Sequence, residues 1–330
     1  MASVASTALS RRRLLAGASA SVAAGLAGSA FITPAHAKAP MLNTQAPSFY
    51  RFKLGSMEAT VVSDGPLPIG AATRIFGGAT EAELTKMISD YFLPADNVVL
   101  DQNVLVINTG DKLALFDTGM STVKRPGAKT GRLLTSLQQA GIDPKDIDAI
   151  VLTHPHIDHC GGMVADDGSR LFPNAQVYMQ ENDFNFWMDD RRLGTPAEGS
   201  ALTARKNLPA YRDRIVFIKD GQEVLPGVQA MHTPGHTVGH SVYMITSGGK
   251  SICNIGDIAH HVILFDKPRL EVKFDTDPKQ GVETRVKLLD MLAAQRIPLL
   301  TYHMPWPGIG HLAKNGDGFR YIATPMQLVL

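Results

Sequence analysis

Short apolar runs, separated by turns rich in glycine, proline and aspartate, recur along most of the chain and predict β-strands. Segments 50–54 and 57–63 flank Gly55-Ser56 and predict a β-hairpin. The same pattern predicts further strands at 98–108, 112–117, 147–153, 175–179, 214–219, 228–232, 241–246, 251–255 and 298–302. A last hairpin is predicted to turn at 315–318.

Helices are predicted between these groups of strands. Thr80 and Glu83 have the spacing of a capping box, which predicts a helix from 80 to 91. Leucines share one face of segment 132–139, and further helices are predicted at 181–190 and 279–295. Because the strands come in groups with helices outside them, the pattern favours an α/β fold. Its two sheets would pack face to face, with helices on their outer faces.

The composition narrows the class of protein. The chain is 44% hydrophobic and has two cysteines among 330 residues, which excludes a disordered chain and a disulfide-rich scaffold. The formal net charge is +1, and residues 38–330 carry 29 basic against 31 acidic residues. This balance argues against a nucleic-acid partner. We find no linker within 38–330, which is expected to form one domain.

The first 37 residues have the features of an export signal. Arg11-Arg12-Arg13 precede an uncharged stretch at 14–32, and Ala35-His36-Ala37 forms a small-x-small cleavage site. Paired arginines before a mildly apolar segment resemble a bacterial twin-arginine signal. A transmembrane anchor is the alternative, but alanine, glycine and serine make the stretch only weakly apolar. We expect cleavage after Ala37, a periplasmic location, and no membrane association once the signal is removed.

Potential metal ligands cluster directly after the predicted strand 147–153. His154, His156, Asp158 and His159 lie within six residues. His154 and His156 can face one ion, and Asp158 and His159 can face a second. Imidazole and carboxylate donors without a thiolate suit zinc, and also iron, manganese or cobalt. The cluster predicts a metal site at the end of a strand.

Three other strand ends offer further donors. His236 lies in the turn 233–236, Asp257 follows a glycine, and His303 follows the strand 298–302. A single histidine at a strand end is more often structural than ligating. The order of these residues after the first cluster makes a shared metal site the favoured interpretation.

The order H-x-H-x-D-H, then H, D and H, resembles that of the metallo-β-lactamase superfamily. Phe116-Asp117-Thr118-Gly119 matches the early aspartate motif of the same family, and the resemblance spans most of residues 48–330. It implies an αββα sandwich of two mixed sheets that binds two divalent metal ions, with zinc as the first choice. It also implies roles for eight residues: His154, His156 and His236 for metal 1, Asp158, His159 and His303 for metal 2, Asp257 as the bridge, and Asp117 as a brace outside the ligands.

Three segments resemble a narrower group, methyl parathion hydrolase and its lactone- and ester-cleaving relatives. These segments are 57–65, 171–175 and 303–311. Proteins of that group are exported and are often dimers. The resemblance therefore implies export and a homodimer.

The resemblance implies a hydrolase in which a hydroxide shared by the two ions attacks a carbonyl carbon or a phosphorus. Asp257 and Asp158 are the carboxylates expected to act in catalysis. The expected substrate is an ester or lactone, with organophosphate triesters as a main or side activity. An N-acyl homoserine lactonase is the alternative, because 154–162 and 233–240 resemble that group equally well.

Three further functions are weaker alternatives. A hydroxyacylglutathione-type thioesterase acts on an anionic cytoplasmic substrate, which an export signal contradicts. A mononuclear iron sulfur dioxygenase needs no second set of donors, whereas Asp158, His159 and His303 supply one here. A non-catalytic metal-binding protein is the last alternative.

The wall of the substrate cleft is expected to be apolar and to select a small uncharged substrate. Its candidate residues are Arg74, Ile75, Phe76, Phe184, Phe186, Trp187, His260, Phe265 and Trp306. Arg74 lies in the loop where the parathion-hydrolase relatives have a pocket arginine. Ordinary helix packing is the alternative for Phe184, Phe186 and Trp187. The histidines expected to be structural are His232, His240, His261 and His311.

Overall fold

The computed structural model describes residue 41 and residues 49–120 and 129–330. The chain divides into two units, residues 1–45 and 46–330. The predicted export signal at 1–37, with its cleavage site, lies outside the described residues. All strands and helices of the described part belong to the second unit.

The first sheet is mixed and contains the strands that precede the metal-ligand cluster. Its strands are β1 (Phe49–Leu54), β2 (Met57–Ser63), β6 (Asn103–Asn108), β7 (Leu113–Phe116), β8 (Ala149–Val151), β9 (Gln176–Gln180) and β10 (Ile215–Ile218), and they lie side by side in that order. Pairs from β1 to β7 are antiparallel, and pairs from β7 to β10 are parallel. Because β7 and β8 are parallel, the residues that follow them meet at one edge of the sheet.

The second sheet contains the later strands. They are β11 (Glu223–Leu225), β12 (Val228–His232), β13 (Ser241–Ser247), β14 (Lys250–Asn254), β16 (Leu299–Leu300), β17 (Ile309–Asn315) and β18 (Gly318–Ala323), again side by side in that order. The β14–β16 pair is parallel and the others are antiparallel. Two short ribbons stand apart, one pairing β3 (Leu67–Gly70) with β5 (Val98–Leu100) and one pairing β4 (Phe76–Gly77) with β15 (Glu271–Val272).

Helices flank the sheets. They are α1 (Ala72–Ile75), α2 (Glu81–Ser89), α3 (Leu133–Gln139), α4 (Ile157–Cys160), α5 (Glu181–Met188), α6 (Glu198–Asn207), α7 (Ile263–Asp266) and α8 (Pro278–Gln295). The predicted capping box of α2 is confirmed, since Thr80 and Glu83 each bond the other's backbone N–H. Among residues 41, 49–120 and 129–330, no helix combines the length and apolar character needed to cross a membrane.

The hydrophobic core has three layers, which confirms the predicted sandwich. Between the sheets, side chains from both inner faces pack together, including Phe52 and Phe116 of the first sheet and Tyr243 of the second. On the outer face of the first sheet, α3, α5 and α6 pack over a second cluster. On the outer face of the second sheet, α7 and α8 pack over a third. The architecture is α/β, with two mixed sheets face to face and helices outside.

One predicted strand is broken in the structure, and one helix of ten residues was not predicted. The predicted strand 98–108 is broken at 101–102 into β5 and β6, which belong to different sheets. Residues at this break bond the loop after β16 instead: the Asp101 side chain accepts through Oδ2 from Trp306 N, and Asn103 N donates to Tyr302 O. Helix α6 was not predicted, because its sequence follows a loose Gly/Pro/Ser stretch and has few apolar residues.

Candidate metal centre and active site

The ligand cluster follows β8 directly and bends across the edge of the first sheet. His154 Nε2 and His156 Nδ1 are 3.0 Å apart, with their rings nearly perpendicular. Asp158 and His159 lie on the one-turn helix α4, which begins after His156. The backbone of His156 is extended, and a helical turn follows it. His154 and His156 therefore face one side and Asp158 and His159 the other, as the spacing predicted.

The remaining donors come from the second sheet. His236 lies in the loop between β12 and β13, and its Nε2 is 3.1 Å from His154 Nε2. Asp257 follows β14 in a 3-10 turn, Gly256–Ile258, and its Oδ1 is 3.2 Å from His159 Nε2. His303 follows β16, and its Nε2 is 3.3 Å from Asp257 Oδ2. The structure thus brings together every residue that the sequence pattern assigned to the two ions.

These donors form two groups that share a carboxylate. The first donor group is His154, His156 and His236, and the second is Asp158, His159 and His303, with the ligand atoms of each group within 4.8 Å of one another. Asp257 Oδ2 is 3.8 Å from His154 and 3.3 Å from His236, while its Oδ1 faces His159. Asp257 therefore faces both groups.

The donor geometry fits divalent cations. Within the described residues, His159 Nε2 and Asp257 Oδ1 are buried and have no hydrogen-bond partner. A buried polar atom without a partner is costly, and a cation between these atoms removes that cost. Imidazole nitrogens and carboxylate oxygens are donors that zinc and similar divalent metals accept. The residues present therefore fit two ions, one at each donor group.

Burial keeps the first donor group in the form that binds metal. Burial, followed by repulsion from neighbouring imidazoles, holds the pKa values of His154 and His156 well below the ordinary histidine value. Burial likewise lowers the pKa of His236 well below that value, although the Asp257 carboxylate opposes it. Neutral imidazole is the ligating form, so these rings need not lose a proton to accept an ion.

The second group has the opposite electrostatics. Burial lowers the pKa of His159, but the surrounding carboxylates, Asp257 foremost, outweigh it and raise that pKa well above the ordinary value. Burial raises the pKa of Asp257, but the imidazoles of His159 and His303 outweigh it and hold that pKa well below its usual range. Asp257 is therefore ionised, and its negative charge attracts cations to the shared position.

Three of the ligating rings, those of His159, His236 and His303, are held from behind by an oxygen atom. Asp117 Oδ2 accepts from His159 Nδ1 at 2.9 Å, as the predicted bracing role requires. Asp275 Oδ1 accepts from His236 Nδ1 at 2.8 Å, and the carbonyl of Asp101 accepts from His303 Nδ1 at 2.8 Å. These bonds fix which ring nitrogen faces the metal. Sequence reasoning missed Asp275 and Asp101, because neither lies in a motif and both reach the site by tertiary contacts.

The histidines predicted to be structural do not line the cleft. His240 is the one nearest to the donors, and its Nε2 accepts from Asp257 N at 3.1 Å while its Nδ1 bonds Thr233. His240 therefore supports the Asp257 turn from behind. His232 bonds the carbonyl of Val238, and His261 packs against Phe76.

A cleft of about 790 Å³ opens over the donors. Its walls include Arg74, Phe186, Trp187 and His260 from the predicted set. Lining residues that the sequence did not indicate include Leu67, Ile69, Leu100, Ile157, Arg192, Ala197, Lys273 and Phe274, together with Thr195, Pro196, Ser200, Asp275 and Thr276. Most of them lie on β3, β5 and the segment around 192–200, whose approach to the site depends on tertiary packing.

Five predicted lining residues lie elsewhere. Ile75 and Phe76 are buried in the cluster on the outer face of the second sheet, and Phe76 lies in β4, which pairs with β15. Phe265 stacks on Tyr321 of β18 in the same core. Phe184 packs against Phe217, and Trp306 packs against the core between the sheets.

The cleft has charged groups at its rim, which the expectation of an apolar wall did not include. Arg192 lies over the ring of Phe186, with its guanidinium carbon 4.4 Å from the ring centre. Lys273 Nζ donates to the carbonyl of Thr73, and Arg74 lines the same cleft. The combination is an apolar pocket with a cationic border.

His260 lies between the donors and the cleft. It is 2% exposed, and its Nε2 is 3.1 Å from Asp257 Oδ2. Its ring is parallel to that of His303 at 5.6 Å. Among the described residues, neither of its ring nitrogens has a hydrogen-bond partner. His260 therefore joins the shared carboxylate of Asp257 to the wall of the cleft.

Comparison with known proteins identifies the family. The model described as "Metallo-beta-lactamase superfamily" matches residues 97–300. An N-acyl homoserine lactonase of Bacillus thuringiensis is 26% identical over 242 residues, which cover 62% of this chain and 89% of the relative. An N-acyl homoserine lactonase of a Bacillus species is 27% identical over 189 residues, which cover 47% of this chain and 69% of the relative.

Solved structures agree with this result. AidC, described as a dizinc quorum-quenching lactonase in complex with a product, superimposes with a TM-score of 0.80 and 29% identity. The match covers 85% of this chain and 99% of AidC. The hydrolase AbOPH, described as in the beta lactamase superfamily, also matches with a TM-score of 0.80 and 29% identity, covering 86% of this chain and all of AbOPH. The narrower resemblance to methyl parathion hydrolase stays a prediction.

The family model and the geometry agree on the same part of the chain. The matched segment contains the cluster 154–159 together with His236 and Asp257, which the fold brings to one edge of the sandwich. Histidine and aspartate donors at that edge are what a hydrolase that uses metal ions requires. The chain therefore belongs to the metallo-beta-lactamase superfamily and is a metal-dependent hydrolase.

Proposed function

We propose that the protein is a dizinc lactonase that opens the ring of N-acyl homoserine lactones and cleaves related small esters. One observation carries the proposal: two donor groups that share Asp257 form the floor of an apolar cleft. The lactonases among its relatives support the substrate class. The choice of zinc rests on the mixed imidazole and carboxylate donors and on the dizinc relative AidC.

The residues that would hold the ions are already arranged to do so. The first donor group would bind one ion, the second donor group the other, and Asp257 would contact both. A pair of divalent ions supplies Lewis acidity, which polarises a carbonyl oxygen and lowers the pKa of water. The buried walls exclude bulk water from the reacting atoms, which strengthens each electrostatic interaction there.

The apolar walls would bind the acyl part of the substrate. Trp187 lies against His156 with 5.2 Å between ring centres, and Phe186 packs beside it. Phe274 lines the same cleft, with its ring centre 6.4 Å from that of His260. Burying an acyl chain between these rings contributes about 0.8 kcal/mol per CH₂ group.

His260 and Asp158 are placed to handle the polar end of the substrate. His260 lines the cleft and would donate to the carbonyl oxygen or to the oxygen that leaves when the ring opens. Asp158 Oδ2 is 3.4 Å from His303 Nε2, and the side chain is 12% exposed to the cleft. Asp158 would take up the proton that the attacking water loses and pass it to the leaving alkoxide. The cations at the rim would attract the carboxylate that lactone opening produces.

Three substrates assayed side by side test the proposal. The full chain, loaded with zinc, is given N-hexanoyl homoserine lactone, dihydrocoumarin and methyl paraoxon, and hydrolysis is followed by proton release. We expect kcat/KM for a lactone to exceed that for the phosphotriester at least about tenfold, which is about 1.4 kcal/mol in transition-state binding. No lactone hydrolysis by the dizinc protein would refute the proposal.

Organophosphate hydrolysis is the second candidate, and Arg74 in the cleft favours it. The same assay decides between them, because a faster reaction with methyl paraoxon would make the phosphotriester the main substrate. Metal analysis separates both from the sulfur dioxygenase alternative, for which one iron per chain and no second ion is expected.

We also propose that the protein is exported through its twin-arginine signal and acts in the periplasm as a homodimer. Arg11-Arg12 and the cleavage site Ala35-His36-Ala37 support export. Replacing Arg11 and Arg12 with lysine should retain the protein in the cytoplasm in a fractionation experiment. Light scattering on the processed protein would give the mass of a monomer or of a dimer.

A further inference from the structure

The structure points to a positioning role for Arg285, a residue of helix α8 that lies behind the metal centre. We propose that Arg285, acting through Asp275 and the turn that carries Asp257, sets the zinc affinity of the centre. The inference rests on the proposed two-ion site, but Arg285 itself belongs neither to the donor groups nor to the lining of the cleft.

Arg285 is held in place by several contacts. It is 1% exposed and is the largest of the fully buried side chains. Its Nε donates to the carbonyl of Ile258 at 2.7 Å, and its Nη1 donates to the carbonyls of Leu270 and Pro268 at 2.6 and 3.1 Å. Burying a guanidinium costs free energy unless its N–H donors find acceptors, and these carbonyls accept from three of the five.

The contacts of Arg285 lead to the shared carboxylate. Ile258 is the residue after Asp257 in the same 3-10 turn. The bond from Arg285 to the Ile258 carbonyl therefore fixes the backbone of that turn. His240 bonds Asp257 N from the other side, so the turn is held at two points.

The second set of contacts leads to the first donor group. Arg285 Nη2 is 3.6 Å from Asp275 Oδ2, and Asp275 Oδ1 accepts from His236 Nδ1. Arg285 and His236 thus lie on the two oxygens of one carboxylate, which fixes the orientation of that carboxylate behind His236. One buried cation thus supports both His236 and Asp257.

Helix α8 approaches the loop of His236 closely enough to need a glycine. A Cβ placed on Gly281 would lie 2.5 Å from Asp275 Oδ2. One turn later on the same helix, Thr284 Oγ1 donates to the carbonyl of Pro234 in that loop. A methyl group at 281 would therefore push on the carboxylate oxygen that faces Arg285, and would move the carboxylate that bonds His236.

Zinc affinity tests the proposal separately from catalysis. The full-length zinc protein is titrated with a zinc chelator, and Arg285→Met and Gly281→Ala are compared with wild type. We expect each to weaken zinc binding about 10- to 100-fold, the usual effect of losing support behind a ligand. The visible absorption of cobalt-loaded Gly281→Ala should also shift, because the orientation of His236 changes.

A matched control separates this effect from general damage to a helix. Gly199 lies in helix α6, and a Cβ there meets nothing within 4 Å. Gly199→Ala should leave zinc affinity within about twofold of wild type. Far-UV circular dichroism checks folding, and if Arg285→Met does not fold, Gly281→Ala decides, because alanine favours a helix over glycine.

The outcomes are distinct from those of the proposed function. Folded Gly281→Ala that holds zinc as tightly as wild type would overturn the positioning role. A Gly281→Ala variant that weakens zinc binding no more than Gly199→Ala does would also overturn it. A wild-type protein that binds two zinc ions tightly but opens no lactone refutes the lactonase proposal alone.

Discussion

The buried carboxyl of Asp183 gives a quantitative test of how the fold supports the site. Asp183 lies on α5 and is 1% exposed. Its Oδ2 accepts from Thr237 Oγ1 at 2.7 Å and its Oδ1 accepts from Gly239 N at 3.0 Å. These bonds tie α5 to the loop of His236. Burial, opposed by these hydrogen bonds, raises the pKa of Asp183 from 3.8 to about 7.

The sign of the resulting pH dependence follows from linkage. A carboxyl whose pKa is higher in the folded than in the unfolded state destabilises the fold progressively as pH rises from about 3.8 to about 7, and its contribution is constant above that. Between pH 5.5 and 8.5, wild type should therefore lose about 2 kcal/mol of stability relative to Asp183→Asn, at 1.36 kcal/mol per pKa unit. The neutral amide retains an oxygen acceptor but does not titrate.

Urea unfolding of zinc-loaded wild type and variant at pH 5.5, 7.0 and 8.5 measures this difference. Comparing the two proteins at each pH cancels the pH dependence of zinc binding. Asp189→Asn is the matched control, because Asp189 follows helix α5 directly. The pKa of Asp189 is lowered to about 2, chiefly by the Arg191 side chain. The difference in free energy of unfolding between Asp189→Asn and wild type should not change between pH 5.5 and 8.5. A constant difference for Asp183→Asn, or one of opposite sign, would refute the reasoning.

Three further predictions concern the metal, the substrate and the fold. Asp257→Asn should retain one ion instead of two and lose about 10³-fold in kcat/KM, since a Lewis-acid contact is worth several kcal/mol; metal analysis and the lactone assay check this, and near-normal turnover would contradict it. Trp187→Ala should raise KM for long-chain more than for short-chain acyl lactones at unchanged zinc content, because it removes an apolar wall; an equal change for both would argue against that role. Thr80→Ala should cost about 1 kcal/mol of stability by removing the capping box, with no change in activity.

Much of the fold was predictable because local patterns and tertiary packing agree there. Strands such as β2 and β13 alternate or carry apolar runs, and both faces of each sheet are covered. The break at 101–102 was not predictable from local sequence. It depends on bonds from Asp101 and Asn103 to a loop some 200 residues later.

The residues of the site also include some that the sequence reveals and some that only tertiary packing brings there. The donors around 154–159 form a dense local motif, so their chemistry is visible in the sequence. Asp275 has no such signal, because its role comes from its position behind His236. Among the aromatic candidates, Trp187 and Phe265 occur in equally apolar surroundings, and only packing sends one to the cleft and the other to the core.

The division of the donors between the sheets has a consequence for assembly. His154, His156, Asp158 and His159 extend from the first sheet, whereas His236, Asp257 and His303 extend from the second. Bound ions therefore cross-link the two halves of the sandwich, and the free energy of binding them is also free energy of folding. A chain whose halves are misaligned by even one strand register cannot keep its ions, so retention of metal through dialysis reports correct assembly.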